Sequence, residues 1–270
     1  MFDGVQCPCI LLQLIATGKP LSTAGMMIED RTRTYTIAME RTVVPENFSF
    51  RMTDEEYRVL EKIKNSIPVC YLADHADFAL GIVTGNNKKF LSAEKTENSE
   101  MVLKGTDICK YHINPVKQYL RFEPEQFQQV APLEIYRAPE KLLYRFISNQ
   151  LVVAYDDRQM LSLNSCNIVI PKIEGMQIKY ILAILNSSVS QFVYQKEFHS
   201  IKVLRAHMEH IPIPRVGKAI QNEIIAMTEP LICGMGKEAA ETCQKRLDCR
   251  IMDLFRLSAE EQWIIRHALH

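Results

Sequence analysis

The segment Gly81-Ile82-Val83-Thr84-Gly85-Asn86-Asn87-Lys88-Lys89-Phe90 runs from an apolar strand into a loop of glycine, two asparagines and two lysines, then ends on an aromatic. Such a loop offers backbone N–H groups, two amides suited to base edges and two ammonium groups suited to phosphate. Thr84, Asn86, Asn87, Lys88 and Lys89 are therefore candidate contacts to a nucleic acid; a bare hairpin turn would use the same residues. The same logic applies to Leu103-Lys104-Gly105-Thr106-Asp107-Ile108-Cys109-Lys110-Tyr111, in which Lys104 and Lys110 carry the charge. The chain as a whole is neutral, with 32 basic and 32 acidic residues, but residues 78–218 hold 18 basic and 13 acidic ones. The flanking segments are acidic, at net −3 for 1–77 and net −2 for 219–270. The middle of the chain is thus the part that could face a polyanion, although a net +5 over that length also suits a plain solvated surface.

Most other chemistry is excluded by what is missing. No two prolines are adjacent, so the D/N-P-P-Y/F box that holds a flipped adenine is absent; Asn114-Pro115-Val116 is a near miss. The one G-x-G, Gly234-Met235-Gly236, lies in a helical region without the strand–loop–helix context of a cofactor loop. There is no D/E-x-K nuclease signature and no G-x-S-x-G elbow. His207-x-x-His210, with Glu209 between, could set two imidazoles on one helical face. Pro212 ends any helix there and no third ligand has a defining spacing, so surface or interface histidines are the better reading. Asp156-Asp157 after an apolar strand suits a cation or, more simply, a turn. The eight cysteines form no C-x-x-C pair and several sit in apolar runs, which points to reduced, buried thiols in a cytoplasmic protein. No apolar run reaches spanning length, and Met1-Phe2-Asp3-Gly4 lacks the basic start of a secretory signal.

The elements that must position these residues read as follows. Apolar content of 47% against 24% charged supports a packed core. Residues 10–15 read as a buried strand and 35–38 as a second, and two strands cannot bury both faces alone. They resemble the torn edge of a sheet, 1–50, and about the first 45 residues are expected to be less protected than the rest. Thr53-Asp54-Glu55-Glu56 opens a helix with a capping box, stopped by Ser66-Ile67-Pro68; 51–68 is read as a connector. From 69 to about 175 the texture is β, with apolar runs at 69–72, 79–84, 143–147, 151–155 and 166–170, two of them joined by a hairpin at 148–150. A helix follows over 177–194, then an extended stretch over 210–214. Helices over 217–247 are disturbed by Pro230, Gly234 and Gly236, and a capping box at Ser258-Ala259-Glu260-Glu261 opens a short last helix. The expected fold class is α+β: a β-rich domain over 69–216 with C-terminal helices over 217–270.

Several motifs in order then carry a resemblance. They are 81–90, Leu103-Lys104-Gly105-x-Asp107-Ile108-x-Lys110-Tyr111, the run 139–146, the run 163–171, Tyr180 to Ser187, Phe198 to Leu204, Ile211-Pro212-Ile213-Pro214 and the tail from Leu247 to Glu261. Together, over roughly 70–262, they resemble the TaqI-like C-terminal specificity domain of adenine-specific DNA methyltransferases in restriction-modification systems, including fused type IIG enzymes. The resemblance implies a target-recognition domain that grips double-stranded DNA while a catalytic methyltransferase domain, using S-adenosylmethionine, flips out an adenine. Phe2-Asp3-Gly4-Val5-Gln6 and the strand after it are similar to the last strands of that catalytic domain, whose cofactor loop and N-P-P-Y box would lie upstream of Met1. The resemblance therefore implies no cofactor and no catalytic residue in this chain. It adds Arg145, Lys202 and Arg205 to the loop residues as base or phosphate contacts, although strand alternation could equally point Arg145 to solvent. The alternatives are a protein–protein module in which 219–262 docks on another subunit, and a complete small methyltransferase or nuclease, against which the missing motifs speak.

Overall fold

The fold is known from a computed structural model that describes residues 22–29, 33–41, 51–198 and 200–269. The strand expected over 10–15, the start at Phe2 to Gln6, and Cys7 and Cys9 lie outside the described residues. Contacts divide the chain into two units, Met1–Asp54 and Glu55–His270.

In the first unit, β1 (Met26–Glu29) and β2 (Thr34–Ile37) form an antiparallel pair in which Met26 faces Ile37. The sequence shows only the second strand, because Met-Met-Ile-Glu has no apolar–polar alternation. Arg41 and Asp54 form a buried ion pair at 2.8 Å, and the Asp54 carboxylate also accepts the Ala38 and Met39 N–H groups.

The second unit follows in the order α1 (Asp54–Asn65), β3 (Val69–Cys70), β4 (Ala76–Ala79), α2 (Asn87–Phe90), β5 (Leu91–Ser92), β6 (Ser99–Leu103) and β7 (Tyr119–Arg121). Then come α3 (Leu133–Tyr136), β8 (Lys141–Arg145), β9 (Val153–Asp156), β10 (Leu161–Ser162), β11 (Cys166–Pro171), α4 (Ile178–Asn186), α5 (Ser188–Glu197), α6 (Arg205–Glu209) and β12 (Ile213–Pro214). Helices α7 (Lys218–Cys233), α8 (Lys237–Leu254) and α9 (Ala259–Ala268) close the chain. The architecture is α+β.

One antiparallel sheet has the order β4-β11-β8-β9, and a second has the order β10-β6-β7-β5 with β10 parallel to β6. A single apolar cluster fills both, including Ile82, Val102, Leu103, Ile108, Leu143, Leu161 and Ile168. Helix α4 is apolar almost all round and buried from Tyr180 to Asn186. Its Asn186 amide completes the outer strand β9, accepting from Val153 N–H at 3.1 Å and donating to Val153 C=O at 2.8 Å. On β8 and β9, Lys141 faces Asp156 in register, and the two form a fully buried ion pair at 2.6 Å. The Asp156 carboxylate also accepts the Arg158 and Met160 N–H groups. Of the two readings of Asp156-Asp157, the turn is the one formed.

Two expectations change. The helix expected over 177–194 is two helices, because Ser187 is extended (φ −70°, ψ 159°). Its hydroxyl donates to Ile184 C=O at 2.7 Å and accepts from Ser190 N–H at 3.2 Å, ending α4 and starting α5. The apolar run 79–84 is a strand only to Ala79; Ile82 and Val83 make isolated bridges to Leu163 and Gln129. The break between α7 and α8 falls at Gly234, whose φ of +77° favours glycine. Among the described residues, no helix is long and apolar enough to cross a membrane.

Candidate nucleic-acid interface

Two glycines explain how the loops singled out in the sequence come together. A Cβ at Gly81 would stand 2.1 Å from the Leu163 carbonyl oxygen, and one at Gly105 would stand 2.5 Å from that of Ser165. Both backbones therefore press against one turn, 163–166, as only glycine allows. Hydrogen bonds fix the contact: Ile82 N–H to Ser162 C=O (2.7 Å), Asn164 N–H to Ile82 C=O (3.1 Å), Leu163 N–H to Leu103 C=O (2.7 Å) and Gly105 N–H to Ser165 Oγ (3.0 Å).

Loop by loop, the side chains take distinct roles. Thr84 is buried, and its hydroxyl donates to Asn87 Oδ1 at 2.6 Å. Asn86 caps the short helix α2, its Oδ1 accepting from Lys89 N–H at 3.3 Å. Lys89 leans over the Phe90 ring at 4.8 Å and donates to Gln126 Oε1 at 2.7 Å. Asn87 and Lys88 are exposed and line a depression of about 400 Å3 with Leu91 and Lys104. The opposite wall is Gln118, Leu163, Asn164 and Ser165. Among the described residues, neither the Lys88 nor the Lys104 ammonium has a carboxylate within ion-pair distance. Two unpaired cations and several amides around one open depression suit a ligand that carries both phosphates and hydrogen-bonding edges.

The remaining sequence candidates lie elsewhere. Lys110 points inward: its ammonium donates to Asn186 C=O at 3.0 Å, and burial lowers its pKa against the opposing pull of the Asp248 carboxylate. Arg145 is half-buried and donates to Gly105 C=O (2.8 Å) and Ile108 C=O (2.6 Å), so it holds the second loop from behind. Strand alternation allowed plain solvent for this side chain; the backbone carbonyls of 105–108 take it instead. Lys202 is exposed above the Phe146 ring at 5.9 Å. Arg205 pairs with Glu209 at 2.7 Å and lies over the Phe78 ring at 5.2 Å. The structure therefore brings together Asn87, Lys88 and Lys104, with Thr84 and Asn86 shaping the loop beneath them. Sequence reasoning missed Gln118, Asn164 and Ser165 as members of the site. The Asn-Ser pair between two apolar strands was the available signal, and it reads first as a turn.

Other candidate chemistry resolves locally. His207 is buried and stacks on Phe198 (4.5 Å between ring centres), its Nδ1 accepting from Leu204 N–H, and burial lowers its pKa. His210 Nδ1 engages Ala206 C=O instead. Among the described residues, no group of three or more His, Cys, Asp or Glu is placed to hold a metal ion.

Residues 100–213 match the family model of the TaqI-like C-terminal specificity domain, a narrower span than the 70–262 of the sequence resemblance; the 81–90 loop lies outside it. No curated protein matches the chain. Among solved structures, a type I restriction-modification assembly is similar at 14% identity and a TM-score of 0.44, over 80% of this chain and 52% of that one. The HsdS subunit from Thermoanaerobacter tengcongensis is similar at 14% identity and 0.41, over 80% and 50%. The type IIL restriction-modification enzyme MmeI, solved in complex with DNA, is similar at 11% identity and 0.49, over 74% and 35%. The chain spans about half or less of the length of each. Over residues 100–213, less than half of its length, the chain is thus similar to the TaqI-like C-terminal specificity domain.

Proposed function

We propose that this chain recognises a sequence in double-stranded DNA for a restriction-modification enzyme. The observation that carries the reading is the depression in which the unpaired Lys88 and Lys104 ammoniums flank Asn87, Gln118 and Asn164. Cations of this kind suit phosphates, and amides suit base edges. The specificity-domain match over 100–213 supports the same role.

In this reading the enzyme served is an adenine-specific DNA methyltransferase. Methyl transfer and S-adenosylmethionine binding belong to a catalytic domain outside these 270 residues. The sequence has neither an N-P-P-Y box nor a glycine loop in strand–loop–helix context. The chain's own contribution is to grip the duplex and hold it in register while the catalytic partner extrudes the target base.

The test is a selection from a pool of randomised duplexes with the 270-residue chain at low salt. Retained duplexes that converge on one short motif support the reading. A chain that retains no duplex at any salt concentration overturns it and favours a module whose C-terminal helices dock on another subunit.

A further inference from the structure

The hydrogen-bonding polarity of the depression can be worked out group by group. Asn87 Oδ1 takes the Thr84 hydroxyl proton at 2.6 Å, a length typical of O–H···O, so that oxygen is already engaged, while the Asn87 NH2 has no partner among the described residues. The Ser165 hydroxyl oxygen accepts from Gly105 N–H. Asn164 differs from both. Its backbone N–H is bonded to Ile82 C=O, which fixes the residue in the turn, while its exposed side-chain amide has no partner among the described residues. Asn164 therefore presents a donor and an acceptor side by side. A phosphate offers acceptors alone and would leave the amide oxygen facing lone pairs. The major-groove edge of guanine does the same with O6 and N7, and cytosine N4 offers a donor without an adjacent acceptor. Adenine offers an N6 donor beside an N7 acceptor, which matches both halves of the amide. The depression also has an apolar side, with half-buried Leu91 and buried Leu163. That surface suits the C5 methyl group of thymine.

We propose that Asn164 is a specificity-determining residue that reads the adenine of an A·T pair through N6 and N7, with the thymine methyl against Leu91. The proposal rests on the reading of the chain as a DNA-recognition domain and names the base pair that this depression takes. Asn87, whose amide oxygen is engaged by Thr84 and whose NH2 is free to donate, serves the neighbouring phosphates with the two lysines.

The experiment repeats the duplex selection with the wild-type chain, Asn164→Ala and Asn164→Asp, with thermal melting of each variant as a folding control. The wild type enriches a motif containing an A·T pair at which Asn164→Ala loses preference by about 5- to 150-fold, while the other positions keep theirs. Asn164→Asp keeps an acceptor and loses the donors, so preference at that same position moves to cytosine. Replacing the adenine there with 7-deazaadenine weakens wild-type binding and leaves Asn164→Ala unchanged. Melting stays at the wild-type value in both variants, because the side chain is exposed and unpartnered. A wild-type motif left intact by Asn164→Ala, or a uniform loss over all sequences, overturns the assignment of Asn164 while DNA recognition stands. A wild-type chain that enriches no motif overturns both.

Discussion

Replacing Gly105 by alanine places a methyl group where the structure has a backbone carbonyl. The new Cβ would stand 2.5 Å from Ser165 O and 3.3 Å from both Ser165 C and Arg145 Cγ. Relief requires a shift of roughly an ångström, since unbonded heavy atoms settle at about 3.5 Å. The Ser165 carbonyl cannot move freely, because it accepts Phe146 N–H at 3.0 Å, and Ser165 Oγ accepts Gly105 N–H at 3.0 Å. Overpacking of this kind costs about 1–3 kcal/mol. One of the two hydrogen bonds goes with it, at about 1 kcal/mol. Gly105→Ala should therefore lose about 2–4 kcal/mol in urea denaturation and weaken duplex binding, because Lys104 moves with its neighbour. Gly81→Ala should do the same, as its Cβ would stand 2.1 Å from Leu163 O and 2.8 Å from Cys166 O. The double variant should cost less than the two singles added, because both displace one turn. A Gly105→Ala chain as stable as wild type within about 0.5 kcal/mol would refute the close approach on which the site is built.

Arg145→Met removes two charge-assisted hydrogen bonds to Gly105 and Ile108; it should cost about 2 kcal/mol in denaturant and leave the salt dependence of duplex binding unchanged, since the group holds backbone rather than phosphate. Lys141→Met leaves the buried Asp156 carboxylate without its cation; a loss of about 3–5 kcal/mol is expected by chemical denaturation. Ser258→Ala removes the hydroxyl that caps α9 and should cost about 1 kcal/mol by the same measurement. Burial pushes the Glu261 carboxyl up, but hydrogen bonds from Lys62 and the Ser258 N–H outweigh it and hold the pKa below its ordinary 4.5. A carboxyl depressed by folding stabilises the chain above its unfolded pKa and stops doing so as pH falls through the folded one. Glu261→Gln should therefore flatten the acid limb of the stability curve below about pH 4.5, read from melting temperature against pH.

Local chemistry was legible in the sequence wherever one residue type decides the outcome. The capping box at Ser258 to Glu261, the break at Gly234 and the apolar helix over α4 all follow from such signals. Ser187 hid the split of α4 from α5, because a serine between two apolar stretches also reads as a helix residue until its hydroxyl is seen bonding in both directions. The short strands β5, β6 and β7 were not legible, since their pairing is set by partners distant in the chain. The site divides in the same way. The two lysine-bearing loops could be read, but not that Lys110 turns inward to Asn186 while Lys104 stays out. Asn164 escaped for a further reason: its membership depends on two glycines, Gly81 and Gly105, that both lie far upstream of its turn in the chain.

The most direct test of the account is the salt dependence of duplex binding by the wild-type chain and by the Lys88→Ala, Lys104→Ala double variant, followed by fluorescence anisotropy. With about 4–6 phosphates contacted, the wild-type log K should fall against log salt with a slope of roughly −4 to −5. The double variant should be shallower by about two units, and Lys110→Met should match the wild type, because its ammonium is engaged by Asn186. An unchanged slope in the double variant, or a flat response in the wild type, would contradict the placement of DNA over this depression.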